Sequence, residues 1–231
     1  ENLILIEDGA ESLGSSVNGK KIGGISDTTI FSFCGNKVLT TGEGGAITTN
    51  SKEIYEKIKL IRSHGRIDTS NYFSNPSASQ YVGLGYNWRM STLTAALGIS
   101  QLQKLDKIIR MRKENAKYLS HHLSKIPQIK TPNPLDGYEH IYQMYTIRLE
   151  NEEIRNDLHN FLTKKQIFSK VYFHPIHKTQ FYSKFSMDDE LPITEIVSNQ
   201  VLTIPLYPNM TNEEKRYLVE SICEFFEIKN D

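Results

Sequence analysis

The chain reads as an α/β protein, and three features of its 231 residues predict that class. The opening run at 3–6, Leu-Ile-Leu-Ile, is continuously apolar, the pattern of a strand buried on both faces of a parallel sheet. Two β-branched runs at 28–33 and 46–49 follow, and an amphipathic helical pattern succeeds them. Beyond Pro127, Pro132 and Pro134 the alternation of strand and helix signals resumes as a smaller α+β arrangement, so the prolines mark a boundary between a domain at 1–126 and another at 127–231.

The first strand ends in Glu7 and Asp8, which sets two carboxylates at its C-terminal end. A doubly buried strand needs neighbours on both sides, so the chain is expected to be the C-terminal portion of a longer protein. Residues 9–24 are rich in Gly and Ser and predict a loop with one helical turn. Ser51 is placed to cap a helix over 52–62, with Ile54, Ile58 and Ile61 on one face and a stop near Gly65. The stretch 66–85 lacks periodicity and predicts a long functional or oligomer-contact loop. From Ser91 the apolar spacing predicts one long helix or two joined ones. In the second domain the pattern predicts strands at 142–149, around 168–172 and at 203–206, with helices at 152–164, 195–201 and 212–226, the last capped by Thr211.

Equal numbers of basic and acidic residues, 27 each, give no general attraction to nucleic acid or anionic lipid. Cys34 and Cys223 are far apart and lack metal-ligand spacing, which predicts free thiols, a reducing compartment and no metal site. No apolar run approaches the ~20 residues that span a bilayer, so the chain reads as cytoplasmic with no membrane partner.

Lys37 lies between a turn and the glycine-rich bend TTGEGG. Taken singly, such a lysine is a solvated surface residue, Asp8 a helix cap, and the bend a hairpin turn needing positive φ. Together they suggest more. Asp8 ends one strand, Ser32 lies on another, and Lys37 follows in a turn of small residues, a set able to converge above a sheet.

The segments IEDGAESLG, FSFCGNKVLTTGEGGAITT and GYNWRMSTLTAALGISQLQKLD resemble the DegT/DnrJ/EryC1/StrS sugar aminotransferases, over almost the whole chain. The resemblance implies a pyridoxal 5'-phosphate enzyme of the aspartate-aminotransferase type I fold. Residues 1–126 would then be an incomplete, mixed but mostly parallel sheet of the large domain, and 127–231 the small α+β domain. It implies that Lys37 is the Schiff-base lysine and later the general base and acid. Asp8 falls on the carboxylate that keeps the pyridinium nitrogen protonated, and Ser32 on a phosphate-binding hydroxyl. Glu11 stands where family members usually carry glutamine near the ring hydroxyl. An ionised carboxylate would repel that phenolate, so Glu11 is protonated, turned away, out of contact, or simply a loop carboxylate.

Asn87 corresponds to an asparagine that reaches a partner subunit's cofactor phosphate, which implies a homodimer with shared active sites; it reads equally as a polar group in a loop before a helix. Trp88 and Arg89 read as structural or interface residues. His64 and His174 lie where the family approaches substrate, or they satisfy local backbone groups. The implied substrates are a nucleotide-linked 4-keto-6-deoxy sugar, aminated at C4 in the perosamine manner, and glutamate as donor, with the nucleotide left open. Lys37 argues against the dehydratase branch, which carries histidine there. The alternatives are an inactive fragment or regulatory and dimerisation paralogue of the same fold, and a nucleotide-binding module in which Lys37 pairs with a phosphate. The family's phosphate-binding helix N-terminus and ring-stacking side chain come from a first half that does not precede Glu1, so the chain alone is expected to be inactive.

Overall fold

The computed structural model describes residues 3–67, 80–185 and 191–227. The chain divides into two compact units, Glu1–Asp106 with Asp136–Ile141, and Lys107–Leu135 with Tyr142–Asp231.

In the first unit β1 (Ile6–Asp8) is followed by the two-residue strands β2 (Ser16–Val17) and β3 (Lys20–Lys21), then by β4 (Thr28–Ser32) and β5 (Gly45–Thr49). β1 runs parallel to β4, with Asp8 opposite Ile30, and β5 runs antiparallel to β4, with Ile47 opposite Ile30. The result is a mixed sheet in the order β1-β4-β5. Side chains alternate across it. Thr29 and Phe31 are buried, and Thr29 donates its hydroxyl to Glu7 Oε2 at 2.9 Å. Residues 9–24 cover this face, where Thr48 Oγ1 donates to the Gly23 carbonyl at 2.8 Å. The opposite face carries Asp8, Ile30, Ser32 and Ile47.

Two expectations need correction here. The first strand lies at Ile6–Asp8 rather than at 3–6: Leu3, Ile4 and Leu5 precede β1 and are exposed, and β1 is paired on one side only among the described residues, as the need for further neighbours implies. The predicted loop at 9–24 contains the β2–β3 hairpin, and β2 also pairs antiparallel with β6 (Tyr138–Glu139). Strands this short carry no periodicity to read.

Helix α1 (Lys52–Arg62) has the predicted bounds, and Ser51 Oγ accepts from the Ile54 amide at 3.3 Å. The helical run after Ser91 forms two helices, α2 (Thr92–Leu102) and α3 (Leu105–Leu123). Much of the predicted loop at 66–85 lies at 68–79, outside the described residues; its flanks pair with each other, Ile67 N donating to Gln80 O at 3.1 Å.

The second unit packs α3, α4 (Glu152–Lys164), α5 (Pro192–Gln200) and α6 (Asn212–Phe225) with the antiparallel strands β7 (Tyr145–Arg148) and β8 (Val201–Ile204). Leu119, Leu123, Tyr145, Leu158, Leu202 and Ile222 are fully buried in one core. Since α3 contributes Ala116, Leu119 and Leu123 to that core, the second unit takes in 107–135 ahead of and across the prolines, while 136–141 returns to the first. The predicted strand at 168–172 is reduced to a single bridge between Lys170 and Thr203. Arg112 of α3, almost fully buried, donates to the carbonyls of Tyr142 and Gln143 at 2.9 and 2.6 Å and so ties the start of β7 to the helix. Among the described residues no helix is long and apolar enough to cross a membrane.

Candidate functional site

The parallel pairing of β1 and β4 brings their C-terminal ends to the same edge of the sheet. Asp8, the last residue of β1, shares a face with Ile30 and hence with Ser32, two residues further along β4. Asp8 Oδ1 accepts from the Ala10 amide at 3.0 Å, and Ser12 N donates to Gly9 O at 3.0 Å, which winds the chain into a tight turn that carries Glu11.

The segment after β4 is closed by Phe33 N donating to Gly44 O and Thr41 N donating to Phe33 O, each at 2.9 Å. Val38 and Leu39 are buried and anchor it. Lys37 N donates to Cys34 O at 3.0 Å, so the lysine sits at the crest of a local turn. Its side chain is only 14% exposed, and Nζ donates to Glu11 Oε1 at 2.8 Å. The structure thus joins Lys37 directly to Glu11 and places Asp8 at the start of the same turn. The contact of Glu11 with Lys37 was not among the readings that the sequence left open for this carboxylate. Ser32 Oγ accepts from the Cys34 amide at 3.3 Å, and Cys34 Sγ lies 3.8 Å from Glu43 Oε1.

A second group in the same unit is built by backbone pairing between 61–64 and 86–88. His64 N donates to Tyr86 O at 2.9 Å and Trp88 N to Arg62 O at 3.0 Å. Arg89 links two residues singled out from the sequence: its Nε donates to Asn87 Oδ1 at 3.2 Å, and its Nη2 lies 3.4 Å from His64 Nε2. Sequence reasoning passed over that linking role; the i, i+2 spacing of Asn87 and Arg89 in an extended segment was the available signal. Tyr86 and Trp88 stack with ring centroids 4.2 Å apart. Met90 Cε lies where a Cβ on Gly44 would be 2.9 Å from it, so this segment runs beside the end of the Lys37 loop.

His174 stands exposed in the second unit, ahead of buried Pro175. Nearby, His177 Nε2 lies 3.1 Å from Glu195 Oε1, and Lys178 is bonded to the other oxygen of that carboxylate. Hydrogen bonds from Lys178 first and His177 second hold the Glu195 carboxyl below its ordinary range. A cavity of about 510 Å³ lined by Ile176, His177, Tyr182, Phe185, Leu191 and Thr194 adjoins this cluster. Among the described residues no three His, Cys, Asp or Glu side chains cluster as metal ligands.

The group at the edge of β1 and β4 offers a shielded amine, two carboxylates and a hydroxyl. That donor set suits a ligand with an aldehyde for the amine, a basic ring nitrogen for Asp8 and an anionic group for the hydroxyl.

Residues 1–223 match the family model described as the DegT/DnrJ/EryC1/StrS aminotransferase family. The chain is 34% identical over 228 residues to the GDP-perosamine synthase of Escherichia coli O157:H7, a match covering 99% of this chain and 60% of that protein. It is similar to Helicobacter pylori PseC, an aminotransferase involved in the biosynthesis of pseudoaminic acid, with a TM-score of 0.89 and 29% identity over 97% of this chain and 60% of that one. The PLP-form of the Streptococcus pneumoniae sugar aminotransferase Spr1654 gives a TM-score of 0.84 at 25% identity, over 97% of this chain and 58% of that one. The chain therefore spans about 60% of the length of the relatives it matches.

Proposed function

The chain belongs to the DegT/DnrJ/EryC1/StrS aminotransferase family, and from that membership we propose that the protein aminates a nucleotide-linked 4-keto-6-deoxy sugar with pyridoxal phosphate held on Lys37. The family is PLP-dependent, and one similar structure is a PLP-form. The observation that carries the assignment of Lys37 is its shielded amine, 14% exposed, at the edge where β1 and β4 end together and where Asp8 and Ser32 share a face.

When bound, the cofactor supplies an electron sink for the pair left behind when the amino donor loses a proton. Lys37 supplies the amine that holds it and, once released, a group that moves that proton as base and then acid. Asp8 has one oxygen engaged by the Ala10 amide, and its second would accept from a protonated ring nitrogen of the bound cofactor. Ser32 accepts from the Cys34 amide, which leaves its hydroxyl hydrogen to donate to a phosphate oxygen. Asn87 has its Oδ1 engaged by Arg89, so its amide hydrogens are the part that reaches a phosphate, across a homodimer interface in this proposal. His64, tied to the same arginine, and His174 are assigned to the substrate side.

The finer reading is amination at C4 in the perosamine manner, with glutamate as donor, and the similarity to a GDP-perosamine synthase favours a GDP-linked sugar. The test uses full-length protein. Incubation with pyridoxal phosphate followed by borohydride should label Lys37, and the Lys37→Ala variant should lose both the label and turnover of candidate GDP-, UDP- or dTDP-linked keto sugars with glutamate. Label found on another lysine, or turnover surviving Lys37→Ala, overturns the assignment.

A further inference from the structure

Lys37 is held by a carboxylate before any cofactor is considered. Its Nζ donates to Glu11 Oε1 at 2.8 Å, with the lysine side chain 14% exposed and the glutamate 41% exposed. The pair is fixed from both sides by structure unrelated to it. Glu11 rides the turn after β1, whose first step is Gly9 N donating to Ile30 O at 2.8 Å. Lys37 rides the turn closed by its own amide on Cys34 O at 3.0 Å and is followed by buried Val38 and Leu39. A contact set by two short, separately anchored turns is preorganised, so little side-chain entropy opposes it.

We propose that Glu11 is a positioning residue that parks the Lys37 side chain, so that opening of the Glu11–Lys37 pair limits how fast the protein captures its cofactor. The inference rests on the assignment of Lys37 as the cofactor-holding amine. Capture joins the lysine nitrogen to the aldehyde carbon as C=N and releases the carbonyl oxygen as water. The attacking nitrogen needs its lone pair, so the ammonium first passes a proton to solvent. It must also leave the carboxylate, and a charge-assisted hydrogen bond of this kind resists that step. Because Glu11 is partly exposed, solvent screens part of the attraction, which scales the expected effect to severalfold rather than to orders of magnitude. The other charged groups of these turns, Asp8 and Glu43, are not bonded to the amine: Asp8 accepts from the Ala10 amide, and Glu43 faces Cys34.

The experiment follows pyridoxal phosphate binding to full-length apoprotein by stopped-flow absorbance, with borohydride trapping to confirm the site. Glu11→Gln keeps the shape and removes the charge, and it should capture the cofactor about fivefold faster. Added salt should narrow the gap between the wild type and Glu11→Gln, since screening weakens an ion pair and leaves the amide contact alone. Glu11→Asp keeps the charge but shortens the reach, so it should fall between them; it also serves if Glu11→Gln fails to fold. Equal rates for all three proteins, with Lys37 labelled in each, overturn the role of Glu11 and leave the lysine assignment standing. Failure to label Lys37 in the wild type overturns both.

Discussion

Gly85 packs on Gly65 so closely that a Cβ on Gly85 would fall on the Gly65 backbone nitrogen. The close approach lets 61–64 pair with 86–88, which in turn places His64 and Asn87 beside Arg89. The neighbour is backbone and cannot rotate aside, so Gly85→Ala should destabilise the first unit by about 3 kcal/mol. Gly83→Ala, where the added carbon meets nothing within 4 Å, should change stability by less than about 0.5 kcal/mol. Thermal denaturation of the two variants checks the contrast; equal melting temperatures would show that the approach is not a constraint.

Arg112 should be costly to remove. Arg112→Met would remove the guanidinium's hydrogen bonds to the Tyr142 and Gln143 carbonyls and lower stability by about 3 kcal/mol in urea titrations, with Arg112→Lys recovering only part. Burial pulls the guanidinium down to about 10, so it is still charged at neutral pH. Its value is lower folded than unfolded, so the unfolded chain binds more protons only above about 10. The stability contributed by this group is therefore flat near neutrality and rises with pH only in strong base. A slope from this group near pH 7, absent in Arg112→Met, would contradict that.

The start of α6 is a reciprocal cap: Glu214 N donates to Thr211 Oγ1 at 3.1 Å, and Thr211 N donates to Glu214 Oε2 at 2.7 Å. Thr211→Ala should cost about 1 kcal/mol by chemical denaturation. The Thr211 amide first, and the Tyr207 hydroxyl second, hold the Glu214 carboxyl below its ordinary 4.5. A depressed folded value means that this stabilisation is present above 4.5 and is lost as pH falls through the folded value. Glu214→Gln should flatten the acid limb of the stability curve, and an unchanged limb would count against the cap.

Leu119 is fully buried between α3 and the rest of the second unit's core. Leu119→Ala should lower stability by about 3 kcal/mol, measured as a shift in urea midpoint without a change in slope. A shift below about 1 kcal/mol would mean that the core closes over the vacancy.

The sequence was most legible where one local rule sufficed. Ser51 and Thr211 announced α1 and α6 through capping, and α4 has the predicted span because its apolar positions recur at helical spacing. It was least legible where contacts are remote. Ser16 and Glu139, 123 positions apart, are joined through β2 and β6 by a hydrogen bond of 2.7 Å, which no local pattern encodes. The assignment of α3 to the second unit is likewise a matter of which core its apolar face meets. In the site, Glu11 stood out as an unexpected carboxylate, yet its bond to Lys37 depends on two turns 26 residues apart that only the β1–β4 register brings together.

The continuous buried cluster draws all its members from the second unit, while the lysine loop is pinned within its own residues by the buried side chains of Val38, Leu39 and Thr41. Isotope exchange in deuterated water should therefore be graded along the chain, with amides of β7, β8 and α6 retaining hydrogen longest and those between β4 and β5 losing it first. Local opening at that loop then needs no global melting.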